Sequence, residues 1–196
     1  MRRARTSRST LRMGALLLLA CLTPATAHAE SVSVPFGLQV ALFTKVADYD
    51  RTLPGLTAGV VRVIVLTRHG SPESSAAAGQ VVDALAGIPR IGGLPHEDTL
   101  VAFTDAGALA ALCRARSISI VYLTPGLADV AEAVSKALTG VPVLTVSASG
   151  EGARNGAVLG FELIASKPKL LVHLPSSRNQ GVRLSSDVLK IATVIE

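Results

Sequence analysis

Arg68-His69-Gly70 directly follows the Val- and Ile-rich run Val60 to Thr67. An imidazole held at the end of a strand can attack phosphorus as a nucleophile. That chemistry also needs further cations around the phosphate, a second histidine and an acid to protonate the leaving group. His96-Glu97 and His173 are the remaining candidates, and neither lies in a Gly-rich strand-end setting that would bring it to His69. A histidine-type phosphatase is therefore a second alternative only, and the chain is expected not to be an enzyme. His69, His96 and His173 are too far apart in sequence to argue for a metal cluster. No Cys-x-x-Cys or His-Glu-x-x-His appears, and the glycines of Gly150 to Gly156 are not expected between a parallel strand and a helix. No metal, nucleotide or other cofactor is expected.

A second set of polar residues follows the apolar runs. Thr67 and Arg68 follow the first, Thr124 another, and Ser147, Ser149, Glu151 and Arg154 a third. If those runs are parallel strands, these groups surround the crevice at their carboxyl ends, where an acidic or hydroxylated ligand would bind. Solvated loop residues are the plainer reading of the same pattern. Cys113, on the last turn of a predicted helix before a buried strand, reads as a small core residue.

The elements that would position these groups begin after a leader. Arg2, Arg3, Arg5, Arg8 and Arg12 precede the apolar run Met13 to Leu22, and Ala27-His28-Ala29 offers a small-x-small cleavage site. This layout predicts a secretory signal peptide over residues 1–29 and a mature chain from Glu30. The run is too short to span a bilayer, so no membrane span is expected in the mature chain. Leu18-Leu19-Ala20-Cys21 offers an alternative, cleavage before Cys21 with a lipid anchor on it. Removing residues 1–29 takes five of the 19 basic residues and leaves 14 against 14 acidic ones, so the net charge falls from +5 to zero. With balanced charge, no Trp and few aromatics, a nucleic-acid partner is not expected.

Phe36 to Leu53 reads as a broadly buried helix, with Phe36, Val40, Phe43 and Ala47 on one stripe and Leu38, Leu42 and Val46 beside it. From Val60 onward strand and helix alternate: a strand to Thr67, a helix from Pro72 to Ala86, a weaker strand at Thr99 to Phe103, and a helix from Ala106 to Arg114. A strand from Ile118 to Thr124, a helix from Leu127 to Leu138 and a strand from Val141 to Ser147 continue the series. The alternation predicts an α/β fold, a single domain over residues 30–196 with a mostly parallel sheet flanked by helices. Val158 to Ile164 and Lys169 to Leu174 are separated by four residues, too few for a helical crossover, and predict an antiparallel hairpin with Leu163 facing Leu170 and Phe161 facing Val172. A C-terminal helix is expected from Ser185 to Ile195.

Gly156-Ala-Val-Leu-Gly-Phe-Glu-Leu, then Leu170-Leu-Val-His-Leu, then Gly181-Val-Arg-Leu-Ser-Ser-Asp-Val-Leu-Lys-Ile-Ala resembles the YfiR-like family of periplasmic proteins. Leu38 to Asp50, Val63 to Leu66, Cys113 to Thr124 and Val143 to Ser147 fit its earlier elements in order. The chain departs from the family's usual pattern at Tyr49-Asp50, where members have Trp-Pro, and at His173, where they have Asn. Some members hold the sensor part of an inner-membrane diguanylate cyclase inactive. The resemblance thus implies a periplasmic, non-enzymatic negative regulator in cyclic-di-GMP signalling. Its partner would be the periplasmic domain of a membrane sensor or cyclase. A periplasmic small-molecule sensor is the alternative, and a homodimer is left open.

Overall fold

The computed structural model describes residues 33–50, 52–53 and 57–196. The expected signal peptide and Cys21 lie outside the described residues. Helix α1 (Phe36–Asp48) starts behind Pro35 and buries Val40, Phe43, Val46 and Ala47. It stops short of the expected Leu53 because the Asp50 carboxylate turns back on its own chain. Asp50 Oδ1 accepts the Thr52 amide at 2.9 Å and the Thr52 hydroxyl at 2.6 Å, a local side-chain turn that competes with helical hydrogen bonding.

The next strand, β1 (Val61–Arg68), is the hub. Helix α2 (Pro72–Ala86) follows, with Ser71 accepting the Ser74 amide as N-cap and Pro72 at its first position. Edge strand β2 (His96–Phe103) pairs parallel with β1. Helix α3 (Ala106–Arg116) is capped by Asp105 at its start and by left-handed Ser117 at its end. Strand β3 (Ile120–Leu123) then returns to the other side of β1. A short turn of 3-10 helix (Ala128–Val130) leads into α4 (Ala131–Ala137), and β4 (Leu144–Ser147) pairs parallel with β3.

Every residue of β3 and β4 is buried, as expected of parallel strands covered on both faces. Val63, Val65, Ile120 and Tyr122 project into one core with α1 and α2. Their neighbours Ile64, Leu66, Val121 and Leu123 project into a second core with α3 and α4. The period-2 alternation of β1 and β3 thus feeds both layers.

The last third follows the predicted hairpin with several corrections. Gly150 to Arg154 form the short helix α5, so those glycines do follow a parallel strand and make the crossover to β5 (Leu159–Ile164), which is parallel to β4. The glycines serve packing there, since a β-carbon at Gly160 would stand 2.6 Å from the Ala153 methyl carbon and the Ser149 carbonyl oxygen. Strand β6 (Lys167–His173) is antiparallel to β5, but Phe161 pairs with Leu170 and Leu159 with Val172, two residues from the expected register. The turn is only Ala165-Ser166, with φ of 49° and 61°. Such left-handed pairs match the twist of a two-residue hairpin. A shift of two keeps every side chain on its expected face. Pro168 is tolerated in β6 because that strand is paired on its other side only from Leu171 to His173.

After β6 comes an unexpected helix, α6 (Leu174–Asn179), and the expected C-terminal helix is cut to α7 (Ser186–Ile191). Thr193–Ile195 form β7, parallel to β6. β-branched Thr193, Val194 and Ile195 favour that extended form. The product is a single α/β domain whose seven-stranded sheet runs β2-β1-β3-β4-β5-β6-β7.

Candidate functional site

The chain leaves β1 toward β2 on one side and returns to β3 on the other, so the switch point lies at the carboxyl ends of β1 and β3. Arg68 and Thr124 both stand there. The Arg68 amide donates to Ser74 Oγ at 2.8 Å. Ser74 Oγ lies 2.6 Å from Thr124 Oγ1, which donates to the Leu66 carbonyl at 2.7 Å. Because the Thr124 proton goes to Leu66, Ser74 must donate to Thr124, and the chain of hydrogen bonds runs one way from α2 to β1. Both hydroxyls are buried and committed. The Arg68 guanidinium crosses the switch point to the Gly126 carbonyl and the Asp129 carboxylate. Thr67, half-buried, sits beside it.

The second group lies around α5. Ser147 Oγ accepts the Ser149 amide at 3.3 Å, and Ser149 Oγ accepts the Gly152 amide at 3.3 Å as N-cap. Arg154, more than half exposed, pairs with Glu162 of β5 at 2.5 Å. Glu151 is exposed. The turn at Ala128–Val130 joins the two groups, since Asp129 takes Arg68 while the Ala128 carbonyl accepts Asn155 Nδ2 at 2.9 Å. The structure places Thr67, Arg68, Thr124, Ser147, Ser149, Glu151 and Arg154 at one end of the sheet. Arg68, Thr124, Ser147, Ser149 and Arg154 are each engaged with other protein groups there.

The histidines do not converge. His69 is exposed in the turn after β1. His96 pairs with Val61 at the opposite end of β1, seven residue steps from Arg68, or about 23 Å along an extended strand. Its ring is held between the Ile88 carbonyl at 2.7 Å and the Asp98 carboxylate at 2.9 Å. His173 caps α6, its Nδ1 accepting the Ser176 amide at 3.2 Å. Among the described residues no group of three His, Cys, Asp or Glu is placed to hold a metal ion. Cys113 is buried in the second core, and burial pushes its thiol pKa up to about 12, against a small opposing effect of Arg114. A thiol so protonated is a poor nucleophile.

A concavity that the sequence does not announce lies at the other end of the sheet. It is a cleft of about 270 Å³ at the amino ends of β3 and β4, where Ile118, Val143, Gln180 and Val182 meet. Its walls come from separate stretches of chain, so no local motif marks it.

A family profile described as DUF4154, YfiR/HmsC-like, matches residues 90–193, from just before β2 into β7. Helix α1 and strand β1 lie outside that match. No curated protein matches the chain in sequence. Among solved structures it is similar to a conserved domain protein from Vibrio cholerae O1 biovar El Tor, with 13% identity and a TM-score of 0.54. That likeness covers 83% of this chain and 60% of the other. It is also similar to an ABC domain in complex with L-Trp from Streptococcus pneumonia, with 13% identity, a TM-score of 0.57, and coverage of 82% and 62%. The chain thus spans about three fifths of the length of these two proteins, and at such identity the likeness is one of fold. No helix among the described residues is long and apolar enough to cross a membrane. With more than half of its length matched by one profile, the chain belongs to the YfiR/HmsC-like family.

Proposed function

We propose that the chain is exported through residues 1–29, works in the periplasm as residues 30–196, and is a non-enzymatic regulatory protein. In this reading it holds a membrane signalling protein, such as a diguanylate cyclase, inactive by binding that protein's periplasmic part. Membership of the YfiR/HmsC-like family carries the reading. The carboxyl end of the sheet is consistent with it. Catalysis there would need a nucleophile, a base and a cation free to meet a substrate. Instead Ser74 donates its proton to Thr124, Thr124 donates its own to the Leu66 carbonyl, and the Arg68 charge is paired with Asp129.

The test is an affinity pull-down of tagged residues 30–196 from solubilised membranes of the host, with bound proteins identified by mass spectrometry. Recovery of a cyclase or sensor kinase with a periplasmic domain supports the proposal, and repeated failure to recover one overturns it. The mass of the exported protein separates cleavage before Glu30 from a lipid on Cys21. A second reading, a periplasmic small-molecule sensor, draws support from the amino-end cleft.

A further inference from the structure

Asp50, just beyond α1, is only 6% exposed, and its two carboxylate oxygens fare differently. Oδ1 accepts the Thr52 amide at 2.9 Å, the Thr52 hydroxyl at 2.6 Å and the Arg183 amide at 3.2 Å. Among the described residues no donor reaches Oδ2, and none of the ion pairs includes Asp50. Nor is Oδ2 sealed in, since the unpartnered polar side-chain atoms that are closed off there are Thr57 Oγ1 and Gln180 Nε2. The donors on Oδ1 need an oxygen but not a charge, because the amide oxygen of an asparagine would serve them equally. A carboxylate so deeply buried with no cation beside it is a cost that those hydrogen bonds do not explain.

Asp50 borders the cleft at the amino ends of β3 and β4. With Oδ1 committed to Thr52 and Arg183, Oδ2 is the oxygen left to meet whatever enters that space. Leu53, Ile118, Val141, Val143 and Val182 give the cleft an apolar wall. Arg114 also borders it, but Arg114 is exposed and one of its N–H groups reaches the Ala137 carbonyl at 3.3 Å. Water and salt screen that cation, whereas the buried charge of Asp50 is screened far less. The negative charge therefore decides what suits the cleft. At roughly 30 Å³ per water-sized group, its 270 Å³ holds on the order of nine non-hydrogen atoms.

We propose that this cleft binds a small, largely apolar amine, whose ammonium group donates to Asp50 Oδ2 while its hydrocarbon part lies on the apolar wall. The ammonium supplies the missing counter-charge, and no bond of the fold has to break, because the donors from Thr52 and Arg183 stay on Oδ1. The site is separate from the carboxyl-end crevice and does not depend on the chain having a membrane partner. It gives the ligand-sensor reading a pocket at the amino end of the sheet.

The test uses residues 30–196 labelled with nitrogen-15 and two probes of this size and of the same shape, benzylamine, which is protonated at neutral pH, and uncharged benzyl alcohol. Ligands of about nine atoms bind with affinities on the order of millimolar. Benzylamine is expected to shift the backbone amides of Thr52, Val143, Val182 and Arg183 and to leave those of Arg68 and Thr124 unmoved. Benzyl alcohol should bind about tenfold more weakly, because a hydrogen bond between two charged groups is the stronger one. Asp50→Asn keeps an oxygen for Thr52 and Arg183 but removes the charge, and should weaken benzylamine about tenfold while leaving benzyl alcohol nearly as it was. If benzylamine does not move the cleft signals of the unaltered protein, or if benzyl alcohol binds as tightly, the proposal is overturned, whether or not Asp50→Asn folds. Undiminished binding of benzylamine by a folded Asp50→Asn protein overturns it as well. The pull-down reads a different property, so loss of one reading leaves the other standing.

Discussion

The Ser74 and Thr124 hydroxyl oxygens lie 2.6 Å apart beneath the carboxyl ends of β1 and β3, tying the start of α2 to the end of β3. Thr124→Val leaves the Ser74 proton without its acceptor, and Ser74→Ala leaves the Arg68 amide and the Thr124 oxygen unmet. Each should cost about 1–3 kcal/mol in urea unfolding. Because the two share one interaction, the double variant should lose less than the sum of the singles. Strictly additive losses would show that the hydroxyls do not act together.

Arg68 and Arg154 are the two cations of the carboxyl-end crevice, and each already faces a carboxylate, Asp129 and Glu162 respectively. Arg68 is more than a third exposed and Arg154 more than half, so replacing both with alanine should cost little, about 1 kcal/mol or less per pair. The double variant should stay folded and bind its partner as the parent does. Loss of partner capture by a folded double variant would place the binding surface at that crevice instead.

The fold is legible in the sequence where apolar periodicity is strong. Helix α2 begins at Pro72 and ends at Ala86 as predicted, because Ser71 and Pro72 mark its start and Gly87 its end. The alternating runs around β1, β3 and β4 give the parallel sheet. Legibility fails where the deciding contact is distant or the local residue is atypical. Gly150 to Arg154 have weak helix propensity, yet the close approach of Ser149, Ala153 and Gly160 holds them in a turn of helix. Asp50 shortens α1 through a contact with Thr52 that periodicity does not register. The seven polar residues of the crevice are legible as a group, since they end or follow apolar strands. Their engagement by Ser74, Asp129 and Glu162 is not, because those partners lie 6, 61 and 8 residues away.

Ala165 and Ser166 explain the register difference in the hairpin and provide a test of it. Both sit at positive φ, a region that strains residues with a β-carbon. Replacing the pair by Asn-Gly, the preferred sequence for this turn, should stabilise the protein by roughly 1 kcal/mol. If the turn were the four-residue loop expected from sequence, the replacement would bring no gain. A rise in the thermal midpoint therefore supports pairing of Phe161 with Leu170.

Tyr122, at the centre of β3, donates to Gln39 Oε1 at 2.7 Å, while Gln39 Nε2 donates to the Val34 carbonyl at 2.7 Å and the Ala148 carbonyl at 3.2 Å. One buried amide thus joins α1 to β3 and to the end of β4. Burial also raises the Tyr122 pKa well above the usual phenol value. Tyr122→Phe keeps the packing against Phe43 but strands Gln39 Oε1, and should cost about 1–3 kcal/mol. An unchanged urea midpoint would contradict this account of the core.

His96 and His173 should give stability opposite dependences on pH. Burial lowers the His96 pKa, but hydrogen bonds to the Ile88 carbonyl and the Asp98 carboxylate, with the charge of Asp98, outweigh it and leave the pKa raised above 6.5. The geometry agrees, since only an imidazolium can donate from Nδ1 to Asp98 and from Nε2 to Ile88 together. Its contribution is fully present below pH 6.5 and is lost as pH rises through the raised value. For His173, burial lowers the pKa below 6.5, and its Nδ1 must stay unprotonated to accept the Ser176 amide. That contribution is present above pH 6.5 and is lost as pH falls through the lowered value. Urea unfolding across about pH 5 to 8 separates the two, because this is the window in which histidines titrate. The stability deficit of His96→Gln should shrink as pH rises. His173→Asn, which keeps an N-cap acceptor that does not titrate, should be the more stable protein at the acid end. A constant offset between each variant and the parent over that range would remove both assignments.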